Sequence, residues 1–277
     1  MNSILFDIGG TKTRVAYSVD GQSFEEPTVF ETVKNYEEGI RVFIENIKKV
    51  ANEREIKNIV GGIAGPFDEN KRTLVGSPNL KDWISKPFKQ TLEKELNTKV
   101  YIENDSAMVG LGEANFGAGK NHRIVAYITI STGVGGARII EEKLDEKSIG
   151  FEPGHQIVDV GKTMFPDVAG IHTGFVLSGN GVKIRTGKSP KEIEDPEFWD
   201  KMAKYLAYFL NNVVVFWSPD IIVLGGSMIT GDPAIPLDKT EEYLKEVLKI
   251  FPELPVIKKA ELGDFGGLWG GLAYLNQ

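Results

Sequence analysis

Short apolar runs, most of them closed by glycine, asparagine or aspartate, alternate along this chain with longer stretches in which apolar side chains return every three or four positions. Residues 4–8 form the first such run. Gly9-Gly10 and then the alternating, β-branched residues 11–19 follow it, so strand, glycine turn and strand make a hairpin, and the first sheet is mixed. Residues 36–53 carry Ile40, Phe43, Ile44 and Ile47 near helical spacing with charges between them, which predicts a helix packed by one face. Residues 59–64 read as a strand ended by Gly65-Pro66, residues 99–102 as a strand ended by Glu103-Asn104-Asp105, and residues 106–114 as a helix. A β-rich run at 123–130 feeds Ser131-Thr132-Gly133-Val134-Gly135-Gly136. Residues 198–217 predict a long amphipathic helix, 221–224 a buried strand closed by Gly225-Gly226, and 268–275 a last helix after Gly263-Asp264-Phe265-Gly266-Gly267. Between 161 and 196, charge, glycine and proline interrupt any period, and no element is assigned. This alternation is that of an α/β protein with a mainly central sheet.

Composition narrows the chemistry. A chain of 277 residues is long for one core and suits two lobes, and a cleft between lobes is the default place for a ligand. The chain has no cysteine, which excludes disulfides, thiolate zinc sites and a cysteine nucleophile, and its three histidines argue against a histidine-rich metal cluster. A net charge of −7 argues against a general nucleic-acid surface. No apolar run approaches the roughly 18–20 residues that span a bilayer, and Met1 leads straight into a strand, so we expect a cytoplasmic protein without a membrane partner. A polyphosphate ligand would have to be held by local backbone N–H groups, because the net field repels it.

Three motifs supply candidate chemistry. In Asp7-Ile8-Gly9-Gly10-Thr11-Lys12-Thr13, a glycine pair between two strands lets backbone approach a phosphate, and Asp7 at the strand end can hold Mg²⁺ through water. The same composition serves an ordinary hairpin turn. It is neither a P-loop nor a dinucleotide fingerprint, since a strand and not a helix follows the glycines. The stretch 131–136 is a second such turn, and two of them suit a triphosphate gripped from both sides. Glu103-Asn104-Asp105 stands at a strand end, where α/β folds put catalytic side chains. Transfer of a phosphoryl group to an alcohol needs a carboxylate in reach of the attacking hydroxyl, and Asp105 has that chemistry. Alternatively, Asn104-Asp105 caps the following helix.

These motifs carry a family resemblance. Together with Gly62-Ile63-Ala64-Gly65-Pro66, Ser77-Pro78-Asn79-Leu80, Glu152-Pro153-Gly154-His155, Pro219-Asp220-Ile221-Ile222-Val223-Leu224-Gly225-Gly226 and Leu262-Gly263-Asp264, they stand in the order found in the ROK (repressor, open reading frame, kinase) sugar kinases. The resemblance implies a two-lobed actin-like, hexokinase-type (ribonuclease H-like) ATPase fold. We expect one lobe at 1–105 joined by a returning helix at 265–277, and the other at 106–264. It implies an ATP- and Mg²⁺-dependent kinase phosphorylating the 6-hydroxyl of a hexose, with glucose ahead of mannose, fructose or an N-acetylated hexose. By the same resemblance, Asp7 with Gly9, Gly10, Thr11 and Lys12 forms the first phosphate site, and Thr132, Gly133, Gly135 and Gly136 form the second. Gly225 and Gly226 lie against adenosine, Asp105 is the base, and Asn104, Glu152, His155, Gly65 and Asn79 bind the sugar. Relatives are commonly homodimers and close on their sugar.

One departure matters. Many members place a Cys-rich zinc motif, whose metal also binds the histidine, after Glu-x-Gly-His, and a further sugar-binding glutamate follows it. This chain has no cysteine, hence no zinc site, and it offers Gly174 near the glutamate position. Something else must orient His155, and His172 is a candidate contributor. Zinc-free relatives include glucose and mannose kinases that use inorganic polyphosphate, an alternative donor. A ROK-type regulator is disfavoured because the chain starts at the phosphate hairpin, without a helix-turn-helix. An actin-like ATPase has no reason to carry Asn104-Asp105 with Glu152 and His155.

Overall fold

The computed structural model describes residues 1–145, 147, 149–159 and 170–277. Its elements in chain order begin with β1 (Ser3–Ile8), β2 (Lys12–Ser18), β3 (Thr28–Glu31), α1 (Tyr36–Ala51), β4 (Asn58–Ile63), α2 (Phe88–Leu96), β5 (Lys99–Asn104) and α3 (Asp105–Phe116). They continue with β6 (Ile124–Ile130), β7 (Val134–Ile140), β8 (Lys143–Leu144), β9 (Ile157–Asp159), β10 (Ile171–His172), α4 (Thr173–Leu177), α5 (Gly179–Thr186) and α6 (Pro196–Trp217). The chain closes with β11 (Ile221–Gly225), α7 (Ser227–Thr230), α8 (Leu237–Val247), β12 (Val256–Lys259) and α9 (Gly266–Leu275). Two compact units result, 1–120 with 142–150 and 262–277, and 121–141 with 151–261.

In the first unit the sheet order is β3-β2-β1-β4-β5, with β1 antiparallel to β2 and parallel to β4, so it is mixed as the hairpin predicts. Every residue of β1 is buried, because helices cover both sheet faces. Alternation sorts its side chains between two cores. Ile4, Phe6 and Ile8 pack with Phe43 and Ile47 of α1 and Phe88 and Leu92 of α2, whereas Leu5 packs with Val60, Met108 and Leu268 and Leu272 of α9. Helix α1 starts where the Asn35 side chain accepts from Glu38 N and ends at Asn52 in the left-handed region.

In the second unit, strands run in the order β12-β11-β6-β7, parallel except for the β6–β7 hairpin. Ala126, Ile128 and Ile130 of β6 and Ile222 and Leu224 of β11 pack under the buried face of α6, including Leu206, Phe209, Leu210 and Val213. Asp195 caps α6 and Pro196 opens it, two residues before the helix that periodicity predicts.

Several bounds differ from the sequence reading. Strand β5 runs through Asn104, so Glu103 and Asn104 are strand residues and Asp105 opens the helix. Helix α3, expected in the second lobe, groups with the first unit. The reason is close packing on α9, where a Cβ on Gly112 would stand 2.6 Å from Gly266 O and 2.8 Å from Gly270 N. In the unread stretch, β10, α4 and α5 form at 171–186, started by the side-chain caps His172 and Ser178; residues 161–169 of that stretch lie outside the described residues. Among the described residues, no helix is long and apolar enough to cross a membrane.

Candidate active site

The ends of β1 and β5 bring several predicted residues of the first unit together. Asp7 is the penultimate residue of β1 and is buried, and Arg14 Nη1 donates to its Oδ2 at 3.1 Å. Arg14 Nη2 also stands 3.6 Å from Asp264 Oδ1. The sheet register explains the first pair, because Arg14 is the direct partner of Asp7 across the β1–β2 hairpin. Burial first, and then the charge of Asp105, push the Asp7 carboxyl up to about 7 against the pull of Arg14. Burial likewise raises Asp105.

Helix α3 settles what caps it. The Asn104 Oδ1 accepts from Ala107 N at 3.2 Å and is the N-cap, while Asn104 Nδ2 donates to Gly65 O at 3.1 Å. Asn104 therefore caps the helix and ties the β5 end to the β4 end. Asp105 accepts from Ser106 N at 2.8 Å through Oδ1, so its Oδ2 is spared from the cap. Two glycines make room for the carboxylates: a Cβ on Gly62 would stand 2.8 Å from Asp105 Cα, and one on Gly267 would stand 2.9 Å from Asp7 Cγ. Gly65 lies at φ 138°, where a side chain is strained.

The first glycine hairpin is closed by Gly9 N donating to Lys12 O at 3.0 Å, and Thr32 Oγ1 donates to Gly9 O at 2.9 Å. The amides of Gly10 and Thr11 bind no other group among the described residues. Asn79 lies over this turn, within 2.7 Å of where a Gly10 Cβ would be, and Thr11 and Lys12 are exposed.

The second unit holds the remaining predicted residues. Thr132 and Gly133 are the exposed tip of the β6–β7 hairpin, closed by Ser131 N donating to Gly133 O at 2.8 Å. Gly179 N donates to Ser131 O at 2.7 Å, and the Ser131 and Ser227 hydroxyls are 3.2 Å apart, so the start of α5 and the start of α7 flank the tip. Gly226 at φ 85° packs against the Ile130 backbone, which brings the Gly225-Gly226 turn to the same loop. Gly135 and Gly136 are not part of the turn: both are paired within β7, and Gly136 is buried against Pro153. Glu152 and His155 are exposed at either end of the Glu152-Pro153-Gly154-His155 turn, where His155 N donates to Glu152 O at 3.0 Å.

Mg²⁺ fits the first unit on chemical grounds. Asp7 and Asp105 are two oxygen donors that repel each other in a buried setting, and a hard divalent cation relieves that repulsion. No group of three or more His, Asp or Glu able to hold a metal occurs among the described residues, so a cation there keeps much of its water. The sequence reading missed Arg14, Gly62 and Gly267 as neighbours of these carboxylates, and Ser227 beside the second hairpin. Arg14 was the most accessible of these, since a residue four past Gly10 falls opposite Asp7 in the register of the hairpin.

The fold is that of known sugar kinases. Over all of this chain and 99% of the other, it matches the crystal structure of a ROK hexokinase from Thermus thermophilus with TM-score 0.81 at 23% identity. A ROK family glucokinase from Streptomyces griseus, solved with glucose and AMPPNP, matches with TM-score 0.79 at 23% identity over 99% of each chain. The ROK family model matches residues 4–277, and the chain is 34% identical to the glucokinase of Thermotoga maritima over 98% of its own length and 96% of that protein's. This chain belongs to the ROK family.

Proposed function

We propose that this protein is a sugar kinase that transfers the γ-phosphoryl group of ATP to the 6-hydroxyl of a hexose, with glucose as the first substrate to test. The observation that carries this reading is the pair of carboxylates, buried Asp7 and half-buried Asp105, both raised by desolvation, beside a glycine hairpin with two amides that bind no group among the described residues. Membership of the ROK family and 34% identity to a glucokinase support it. The Streptomyces relative with glucose and an ATP analogue supports ATP as donor.

In this reading Asp105 accepts the hydrogen bond of the attacking hydroxyl and takes its proton as the new O–P bond forms and the bond to ADP breaks. Asn104, fixed by its bonds to Ala107 N and Gly65 O, presents a set polar edge to the sugar, and Gly65 and Asn79 line the same side. The second unit supplies Glu152 and His155, both exposed, as hydroxyl ligands; polar groups that give up water to a sugar hydroxyl reject a sugar that leaves them unpaired. The amides of Gly10 and Thr11 with Lys12, and those of Thr132 and Gly133, bind phosphate oxygens, and Gly225-Gly226 lies along the adenosine. Gly135 and Gly136 shape the second hairpin from within β7. Asp7 would hold Mg²⁺ through water, and the ion would supply charge neutralisation to the donor phosphates.

The test is product analysis on a panel of glucose, mannose, fructose and N-acetylated hexoses, each with ATP and with inorganic polyphosphate. A hexose 6-phosphate with sugar-dependent ADP is expected. Asp105→Asn should lower turnover by about 10²- to 10⁴-fold and leave sugar affinity within about tenfold, because a base is lost and a hydrogen-bonding shape kept. Loss of binding in step with loss of rate contradicts the role given to Asp105.

A further inference from the structure

His155 ends a single 3₁₀ turn, Pro153–His155, and is exposed. An exposed side chain on one short turn ordinarily samples several rotamers. Its ring makes no hydrogen bond among the described residues. What it has is a parallel neighbour: the imidazoles of His155 and His172 stack with centroids 5.3 Å apart and planes 21° from parallel.

His172 is itself well fixed. Its backbone pairs in β10 with Ile157 of β9, two residues past His155, and this register carries the ring back over the turn. Its Nδ1 lies 3.0 Å from Gly154 O and 3.3 Å from Phe175 N. Nδ1 donates to Gly154 O when it carries the proton and accepts from Phe175 N, as the cap of α4, when it does not, so the ring is held in either tautomer. Gly174 leaves the ring its space, since a Cβ there would stand 3.2 Å from both Cε1 and Nδ1. Beneath the pair, Gly154 is pressed on the Val134 backbone at the start of β7. The turn is thus seated on the sheet from below, and its histidine is faced by a fixed ring from above.

We propose that His172 is the positioning residue that holds the His155 imidazole in place for a sugar hydroxyl, in a chain with no cysteine to build a thiolate metal site for that purpose. The proposal rests on the reading of His155 as a sugar ligand. The test compares His172→Ala, His172→Leu and His172→Phe with the wild type and with His155→Ala. The first readout is the side-chain nitrogen–proton correlation spectrum of the three histidines; the second is steady-state kinetics with glucose and ATP. In His172→Ala the His155 resonances should shift and the KM for glucose should rise about 3- to 10-fold, the worth of one aromatic pair, while the KM for ATP stays within about twofold. His172→Phe, which keeps a ring face, should recover most of the glucose KM. Should His172→Ala fail to fold, His172→Leu carries the same comparison. Unmoved His155 resonances overturn the proposal, and so does an unchanged glucose KM in His172→Ala when His155→Ala raises it. If His155→Ala itself leaves the glucose KM unchanged, the sugar-ligand reading fails and the proposal falls with it.

Discussion

Replacing Asp7 by asparagine is expected to raise stability and abolish most activity, in opposite directions from one change. In the unfolded chain this carboxyl ionises at an ordinary 3.8, whereas in the fold burial and the neighbouring Asp105 hold its proton up to about 7. Between those values the folded state binds the extra proton, so the associated stability is full below the unfolded value and is lost as pH rises through about 7. At about 1.4 kcal/mol per decade the full loss is about 4 kcal/mol. Relaxation and the Arg14 contact, which an asparagine oxygen keeps in part, reduce the recoverable share to about 1–3 kcal/mol. Asparagine does not ionise, so the two proteins should be equally stable near about pH 4 and diverge as pH rises, with the variant ahead at about pH 8. Urea unfolding without Mg²⁺ or nucleotide, followed by the fluorescence of the four tryptophans, measures this. Adding Mg²⁺ at about pH 8 should recover stability in the wild type and not in the variant, while turnover of the variant falls by about 10²-fold or more. A stability difference that stays flat with pH, or a variant less stable than wild type at the alkaline end, refutes the reasoning.

Three further substitutions test the packing that builds the site. Gly62→Ala puts a methyl 2.8 Å from Asp105 Cα; it should cost about 1–3 kcal/mol by urea unfolding and lower kcat more than it raises the sugar KM. Glu113→Ala removes a buried carboxylate that accepts from Leu262 N at 2.8 Å and Ala118 N at 2.9 Å, so we expect a loss of about 2–4 kcal/mol, read as a lower urea midpoint. Gly226→Ala forces a side chain to φ 85° against the Ile130 carbonyl; calorimetry should show a lower Tm, consistent with about 1–3 kcal/mol of strain.

Local order in the chain was enough for the elements that build the site. The apolar run at residues 4–8 and the alternation of residues 11–19 on either side of Gly9-Gly10 are local signals, and they give β1, β2 and the mixed sheet. The helical spacing of Ile40, Phe43, Ile44 and Ile47 does the same for α1. Motif order along the chain likewise sufficed for the family. Residues 171–186 stayed unread because α4 and α5 have five and eight residues, too short to show a period, and rest on side-chain caps.

Tertiary packing decided the rest. Asp7 and Asp105 are far apart in the chain, and only strands β1, β4 and β5 lying side by side bring their charges close enough to interact. No local pattern distinguishes Asn104 from Asp105 as the cap; the backbone at the end of β5 chooses Asn104 and leaves an oxygen of Asp105 spare. The pairing of β9 with β10 stacks His172 on His155, and the glycine contacts of α3 with α9 draw α3 into the first unit. Secondary structure follows from interactions a few residues in range, which a sequence displays directly, whereas charge coupling, capping choice and ring stacking depend on distances that exist only once distant strands and helices are packed.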